Sequence, residues 1–498
     1  MKLIDLICAC KEIRFQTIGS MDVEIFGITS STKKITEGYL FVALQGTEVD
    51  GHDFIAEAIE KGAVAILGQC GSKFQLSLDE TFSSCFIACD EPRSVYPKLC
   101  SIYYNKQPKI IAGITGTNGK SSVAEFTRQL WLFHSLPAAS IGTLGLVMEN
   151  SSQKTNLTTP DPAELHSLVK GLAESNITHL ALEASSHGLD QHRLDYLDIG
   201  IAAFTNLSRD HLDYHKNMQD YLVAKTLLFS DLLKNNGTAV INADDEHYSH
   251  IISSLSSSKT NIIDYGIRAK TLRLLGRRPD LDGQIIDVEV FGKKRTAKLN
   301  LLGSFQVSNV LCALGIAIAS GVDDDKAFEY LEKLKGVRGR LELAGKKTNG
   351  ASIYIDYAHT PDALKSVLTA VRNHTTGRLK LVFGCGGERD IGKREEMGTV
   401  ASKFADEIII TDDNPRHEDP TAIRDQIASF VSGATVIANR KEAIKNAVFN
   451  LGENDLLIIA GKGHEGVQQI GASSFPFDDL VVAKSMIESA NSLEKRSE

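Results

Sequence analysis

No Cys-x-x-Cys pair occurs among the eight cysteines (Cys8, Cys10, Cys70, Cys85, Cys89, Cys100, Cys312, Cys385), and no histidines stand beside them at zinc-ligand spacing. A structural zinc module is thereby excluded, and a disulfide framework is not expected in a chain of 498 residues. All eight read as free, buried thiols in a reducing compartment. There is no surplus of positive charge either. A formal net charge of −9 argues against a broad nucleic-acid surface and gives no sign of an anionic membrane partner. Long apolar runs are also missing. The longest weakly polar run, 307–322, carries Ser308, Asn309 and Ser320 and reads as a buried helix rather than a membrane span. The first ten residues are interrupted by Asp5 and make a poor signal peptide. The expectation is a cytoplasmic protein with no membrane or nucleic-acid partner. An apolar content of 42% with 23% charged residues is that of a globular chain, and 498 residues exceed one core, so several domains are expected.

Against these absences stands residues 109–122, Lys-Ile-Ile-Ala-Gly-Ile-Thr-Gly-Thr-Asn-Gly-Lys-Ser-Ser. A short apolar run breaks into Gly116-Thr117-Asn118-Gly119-Lys120-Ser121, and Val123, Phe126, Leu130 and Phe133 follow at helical spacing. Strand, glycine-rich turn and helix form a phosphate-binding loop. The general template wants glycine at position 114 and meets isoleucine, while Gly113 and Gly116 supply flexibility at other offsets. Glycines let backbone N–H groups close on phosphate oxygens, Lys120 reaches the terminal phosphates, and Ser121 is placed to ligate Mg²⁺. ATP use is the working premise.

The remaining chain alternates strand-like and helical stretches, which argues an α/β protein. Residues 1 to about 105 form a small α/β unit, with strands near 39–44 and 63–67. A central region to about 335 holds strands near 178–184, 199–205 and 238–242 in a mainly parallel sheet, plus a hairpin around Gly292. Strand ends carry polar residues, where open α/β sheets place ligands. Glu183 and His211 fall at two such ends and can converge on Mg²⁺ held by Ser121. Lys225 sits in the apolar stretch 221–229 and, on residues alone, reads as a lysine with its charge in water. In the third region, 336–498, a helix begins at Thr360-Pro361. Three strands there end in polar loops, 384–390, 412–416 and 461–465, at one edge of a doubly wound sheet. Arg389 and Arg416 are carboxylate clamps by type, and Glu465 suits an ammonium group.

Six segments together, 113–121, 183–193, 206–215, 221–225, 356–364 and 460–465, resemble the Mur ligases, ATP-dependent ligases that build the peptidoglycan stem peptide. The resemblance is closest to members that add the third stem residue to UDP-N-acetylmuramoyl-L-alanyl-D-glutamate. Asp413-Asn414-Pro415-Arg416 resembles the motif of those adding meso-2,6-diaminopimelate, whose second carboxylate gives an arginine a partner that lysine lacks. The resemblance implies three domains: 1–105 binding the UDP substrate, 106–335 a central P-loop ATPase-like domain, and 336–498 a Rossmann-like doubly wound domain binding the amino acid. A monomer acting on small molecules is implied.

Carried over by residue, the resemblance implies ATP contacts at Gly116, Thr117, Asn118, Gly119, Lys120, Ser121, Ser122, Asn309, Arg340, Asp356 and His359. It implies Mg²⁺ on Ser121, Glu183, His211 and Lys225, the last as a CO₂-derived carbamate, with Lys120, Glu183, His211 and Lys225 in the catalytic set. The UDP-muramoyl dipeptide would meet Ser30, Thr32, Gly46, Thr47, Glu48, Thr158, Thr159, Ser185, Gln191 and Arg193. Diaminopimelate would meet Arg389, Asp413, Asn414, Pro415, Arg416, Gly461 and Glu465. Three positions depart from the family pattern: Ser31-Thr32-Lys33, Gln306 and Leu157. A lysine-adding homologue, a folylpolyglutamate synthetase and a non-ligating P-loop NTPase are the alternatives.

Overall fold

The computed structural model describes residues 1–46, 49–72, 74–75, 84–212, 214–257, 259–280, 283–372 and 374–497. Thr47 and Glu48, expected near a uridine, lie outside them. The chain is α/β in three domains, each built on its own main sheet.

In the N-terminal domain the spatial order is Gln16–Ile18, Cys85–Cys89, Ala63–Gln69, Tyr39–Val42, Gly27–Thr29, all parallel except the first pair. Ala63–Gln69 and Cys85–Cys89 are almost wholly buried, as strands covered on both faces must be.

The central sheet has eleven strands among the described residues. Its parallel middle runs Asn261–Gly266, Thr238–Asn242, Ile199–Phe204, Ile110–Thr115, His179–Glu183, Ala138–Gly142. The expected hairpin around Gly292 is present as Gly283–Val290 and Lys293–Leu299, and a third strand, Leu272–Asp280, joins it to the parallel part. Two apolar clusters cover the two faces. One gathers Val123, Phe126 and Leu130 of the helix Lys120–Phe133 with Val310, Leu311 and Leu314 of the helix Ser304–Ala319. The other packs Leu165, Val169, Tyr221 and Phe229 on the opposite side. No helix is long and apolar enough to cross a membrane among the described residues.

The C-terminal sheet runs Glu342–Lys346, Ser352–Asp356, Leu456–Ala460, Leu379–Phe383, Glu407–Ile410, Thr435–Val436, and only its first pair is antiparallel. Thr360 caps the helix Pro361–Arg372 by accepting the Ala363 N–H at 3.3 Å. Leu364, Val367, Leu368 and Val371 of that helix are buried on one face of the sheet, while Ile444, Val448 and Ile487 fill the other. Under the strand ends lies a fully buried ion pair. Arg440 grips Asp479 through both carboxylate oxygens at 2.8 and 2.7 Å and donates to the Ala460 carbonyl at 2.9 Å. The fork geometry satisfies both charges away from water.

All eight cysteines are free. The expectation that all are buried needs correcting, because Cys8 is exposed and Cys70 partly so. Cys8 ends the first helix on its open side, and Cys70 follows the last residue of a strand.

Asp479→Ala would strand the Arg440 charge in the core, and a loss of about 3–5 kcal/mol in denaturant unfolding is expected. A loss below about 1 kcal/mol would mean that water reaches the guanidinium. Acid should also weaken the central domain. Burial pushes His166 and His179 down to about 4 from an ordinary 6.5. The unfolded chain then binds more protons between those values, so stability is retained above pH 6.5 and lost as pH falls toward 4. His166→Gln with His179→Gln should flatten that part of a stability–pH curve.

Candidate active site

The strand Ile110–Thr115 lies between His179–Glu183 and Ile199–Phe204, with Glu183 level with Ile114 and Phe204 level with Thr115. Their carboxyl ends therefore open at one edge, and 116–121 turns there into the helix Lys120–Phe133. Gly116 has φ +142°, and a Cβ would lie 1.9 Å from Thr205 Oγ1. Gly119 has φ +89°, with a Cβ 2.4 Å from Asn309 Oδ1. Neither position tolerates a side chain. The neighbouring strand end braces the turn: Thr117 N–H donates to Asn206 O at 2.8 Å, Asn118 N–H to Asn206 Oδ1 at 3.0 Å, and Thr205 Oγ1 to Asn118 O at 2.6 Å. Ser121 and Ser122 are buried in the first helical turn, whose N–H groups have no partner within the helix.

Two lysines meet on one carbonyl. Lys120 Nζ donates to Gly116 O and Thr117 O, each at 2.8 Å, and Lys225 Nζ donates to Gly116 O at 2.8 Å. Lys225 is 1% exposed, with Nζ 4.2 Å from the centre of the Tyr221 ring. The reading of Lys225 from residues alone, a charge in water, is therefore wrong. Its helix turns this face to the phosphate loop, a tertiary placement that local apolarity does not disclose. Burial first, and then the Lys120 charge, push Lys225 well below the usual lysine range. Burial lowers half-buried Lys120 too, while Glu183 and Asp210 pull it back.

Glu183 is buried and accepts the Thr143 N–H on Oε1 at 2.8 Å and the Thr143 hydroxyl on Oε2 at 3.2 Å. Its strand register sets it level with Ile114, two residues before the loop. His211 has φ +54°, is half-exposed, and stands 3.6 Å from Asp210. The Ser121 hydroxyl and Glu183 carboxylate are hard oxygen donors of the kind Mg²⁺ takes, whereas Lys225 as a free amine offers no anionic oxygen.

From the C-terminal side, Arg340 NH2 reaches Ser121 Oγ at 3.4 Å and lies 4.7 Å over the Tyr357 ring. Asp356 is buried and accepts the Leu341 and Ala358 N–H groups, each at 2.7 Å. Burial pushes its carboxyl up to about 6, with Arg340 and the two N–H groups opposing. His359 is exposed, its Nδ1 2.9 Å from Tyr357 O. Asn309 is buried against Gly119 and donates to Gln306 Oε1 at 3.0 Å.

The three C-terminal loops meet as expected. Arg389, Asp413, Asn414, Arg416, Gly461 and Glu465 line a cleft of about 770 Å³, together with His359 and with Arg209, Asp210 and His211 of the central domain. Pro415 is buried beneath, its carbonyl packed where a Cβ on Gly387 would fall. Arg416 sits at φ +53° and donates to Gly387 O at 2.7 Å, and Arg389 is exposed to the cleft. Asn414 donates to Glu465 Oε2 at 2.9 Å.

The residues expected on the peptide substrate cluster below Glu183. Thr159 Oγ1 donates to Glu183 O at 2.8 Å and lies 2.9 Å from Ser185 Oγ. Arg193 donates to Thr159 O at 2.8 Å and Gln191 Oε1 at 2.6 Å, and Thr158 Oγ1 lies 3.2 Å from Thr143 Oγ1. Gly46 and Gln191 line a second cavity, of about 580 Å³, with Arg93, Asp190 and Tyr214. Ser30 and Thr32 are not on its lining. Ser30 donates instead to Asp161 Oδ2 at 2.9 Å, and the Thr32 carbonyl accepts Lys61 at 3.3 Å.

Sequence reasoning missed Thr143, Asp210, Tyr357, Arg93 and Lys462. Lys462 stands inside a motif that sequence reading singles out, and Asp210 precedes His211. Thr143 and Arg93 belong to no motif, and only the fold brings them in.

Family models match residues 24–116 (Mur ligase family, catalytic domain), 114–317 (Mur ligase middle domain) and 339–463 (Mur ligase, glutamate ligase domain). The chain is 44% identical over 458 residues to the UDP-N-acetylmuramoyl-L-alanyl-D-glutamate--2,6-diaminopimelate ligase of Brucella melitensis biotype 1, covering 92% of this chain and 93% of that one. A solved structure of a ligase with the same name superposes at a TM-score of 0.66 with 32% identity, covering 93% of this chain and 95% of the other. The MurF ligase of Thermotoga maritima in complex with ADP shares the fold at a TM-score of 0.61 and 19% identity, over 94% and 98% of the chains.

Gly116→Ala would force the φ +142° backbone and the Thr205 contact together. A stability loss of about 1–3 kcal/mol is expected by denaturant unfolding. An unchanged midpoint would show that the loop relaxes away from Thr205.

Proposed function

The chain belongs to the Mur ligase family, and on that premise we propose that it is an ATP-dependent amide ligase adding meso-2,6-diaminopimelate to UDP-N-acetylmuramoyl-L-alanyl-D-glutamate during cytoplasmic peptidoglycan precursor synthesis. The observation that carries this reading is the cleft lined both by the loops bearing Arg389, Arg416 and Glu465 and by Asp210 and His211, whose segment is hydrogen-bonded to the phosphate loop between Ser208 and Thr117. The named relative covering nearly the whole chain supports the same substrate pair.

In this reading, residues 1–105 bind the UDP moiety, 106–335 bind ATP and the peptide, and 336–498 bind the amino acid, in a monomer. The D-glutamate γ-carboxylate attacks the γ-phosphorus of ATP, ADP leaves, and an acyl phosphate forms. The uncharged amine of diaminopimelate then attacks the acyl carbon, the tetrahedral intermediate loses phosphate and a proton, and the amide remains. Lys120 and the first-turn N–H groups offset the charge on the phosphates, and Arg340 approaches the same turn from the C-terminal domain. Thr158, Thr159, Ser185, Gln191 and Arg193 orient the peptide. Arg389 and Arg416 take the distal carboxylate, with Asp413, Asn414, Gly461 and Glu465 around the distal amine. Ser121 and Glu183, with His211 and a carbamate on Lys225, would hold the Mg²⁺, which supplies charge neutralisation on phosphate oxygens when bound. The lowered Lys225 favours the neutral amine that must add to CO₂, which supports that modification.

ATP hydrolysis should require both the muramoyl dipeptide and the amino acid, with the joined product seen by mass. Phosphate release from ATP alone would point instead to a simple NTPase. Lys120→Ala should lower turnover by on the order of 4 kcal/mol, about a thousandfold. Near-normal turnover would remove Lys120 from the mechanism. Arg416→Ala should erode the preference for diaminopimelate over L-lysine, and a preference left intact would mean that the second carboxylate is read elsewhere.

A further inference from the structure

Lys462 is fully buried, yet its ammonium reaches two residues of the amino-acid cleft. It donates to Asn414 Oδ1 at 3.0 Å and to Glu465 Oε2 at 2.8 Å. Asn414 Oδ1 also accepts the Gln469 N–H at 2.9 Å, which leaves Nδ2 turned to Glu465 Oε2, 2.9 Å away. Two donors thus converge on each of two oxygens, and the amide and the carboxylate are locked in one relative orientation. The backbone keeps Lys462 inward. Gly461 and Gly463, on either side, have φ +110° and +55°, and a Cβ on Gly463 would lie 2.7 Å from Tyr357 Cβ. Asn414 is further pinned from the strand Val467–Ile470, where Gln468 Nε2 donates to Asp413 O at 2.7 Å.

We propose that Lys462 is a positioning residue for the acceptor amino acid: it holds Asn414 and Glu465 as one rigid unit and leaves Glu465 Oε1 as the oxygen offered to the acceptor's distal ammonium. The proposal rests on the ligase reading above. Lys462 touches no substrate in this arrangement and acts only through its two partners. Removing it frees the Asn414 amide to turn over and releases Glu465 from the orientation in which Oε1 faces the cleft. ATP and the UDP-linked substrate bind elsewhere and are not affected.

The test compares wild type, Lys462→Met, Glu465→Gln and the double variant by steady-state kinetics, varying each substrate in turn. Lys462→Met is expected to raise KM for diaminopimelate about 10–100-fold, with KM for ATP and for the UDP-dipeptide within about twofold. The double variant should lose no more than about tenfold beyond Glu465→Gln alone, because only the lysine's hold on Asn414 remains to be lost. An unchanged diaminopimelate KM in Lys462→Met would overturn the proposal, as would a parallel rise in all three KM values. Should Lys462→Met fail to fold, the double variant, which removes both members of the buried pair, decides. A diaminopimelate KM within about tenfold of that of Glu465→Gln supports the proposal, and any larger further loss overturns it. A wild-type enzyme that joins no diaminopimelate refutes the ligase reading instead, which keeps the two failures apart.

Discussion

One backbone oxygen, the carbonyl of Gly116, accepts hydrogen bonds from the Nζ atoms of two lysines, and the site is organised around that crowding. Like charges this close repel strongly away from bulk water, and the Lys120 charge adds to burial in lowering the tendency of Lys225 to stay protonated. The arrangement exists only because position 116 adopts a backbone conformation closed to other residues and because Thr205 packs against it. Lys225, the more buried of the two, takes the larger share of the perturbation, with the face of Tyr221 as partial compensation. Anionic phosphate oxygens entering this environment would meet charge already in place, so little reorganisation is needed when the reaction proceeds.

The second requirement is that distant parts of the chain reach this carbonyl. Glu183 is positioned by Thr143 from a neighbouring strand end, and Arg340 crosses from the C-terminal domain to Ser121. One of the cleft loops follows a strand whose last residue is tied by Arg440, bound to Asp479 and to the Ala460 carbonyl. A cation at the root of one loop and another, Lys462, within it give the cleft a charged frame beneath the residues that line it. Ser30 and Asp161 similarly join the N-terminal and central domains, with Tyr96 donating to the second Asp161 oxygen at 2.6 Å.

Much of this was legible along the chain. The phosphate loop announces itself because glycine spacing, lysine and helical periodicity all fall within the twenty-five residues 109–133. The strands Thr238–Asn242, Leu379–Phe383 and Leu456–Ala460 stand where short apolar runs bounded by turn residues predict them. The three C-terminal loops are visible for the same reason, since each follows such a run. Local signals were silent about partners. Ser30, expected on a nucleotide, spends its hydroxyl on Asp161, 131 residues away. Thr143 carries no mark of its contact with Glu183, 40 residues on.

By itself, then, the order of residues determined the alternation of strand and helix, the phosphate loop and the chemical type of each loop, because those depend on neighbours within a turn or two. Tertiary structure alone decided that Lys225 is buried, that it shares an acceptor with Lys120, and that Lys462 turns inward to Asn414 and Glu465. Protonation preference and hydrogen-bond pairing depend on what packs around a side chain, and one partner of each of these two lysines, Gly116 for Lys225 and Asn414 for Lys462, lies 109 and 48 residues away along the chain.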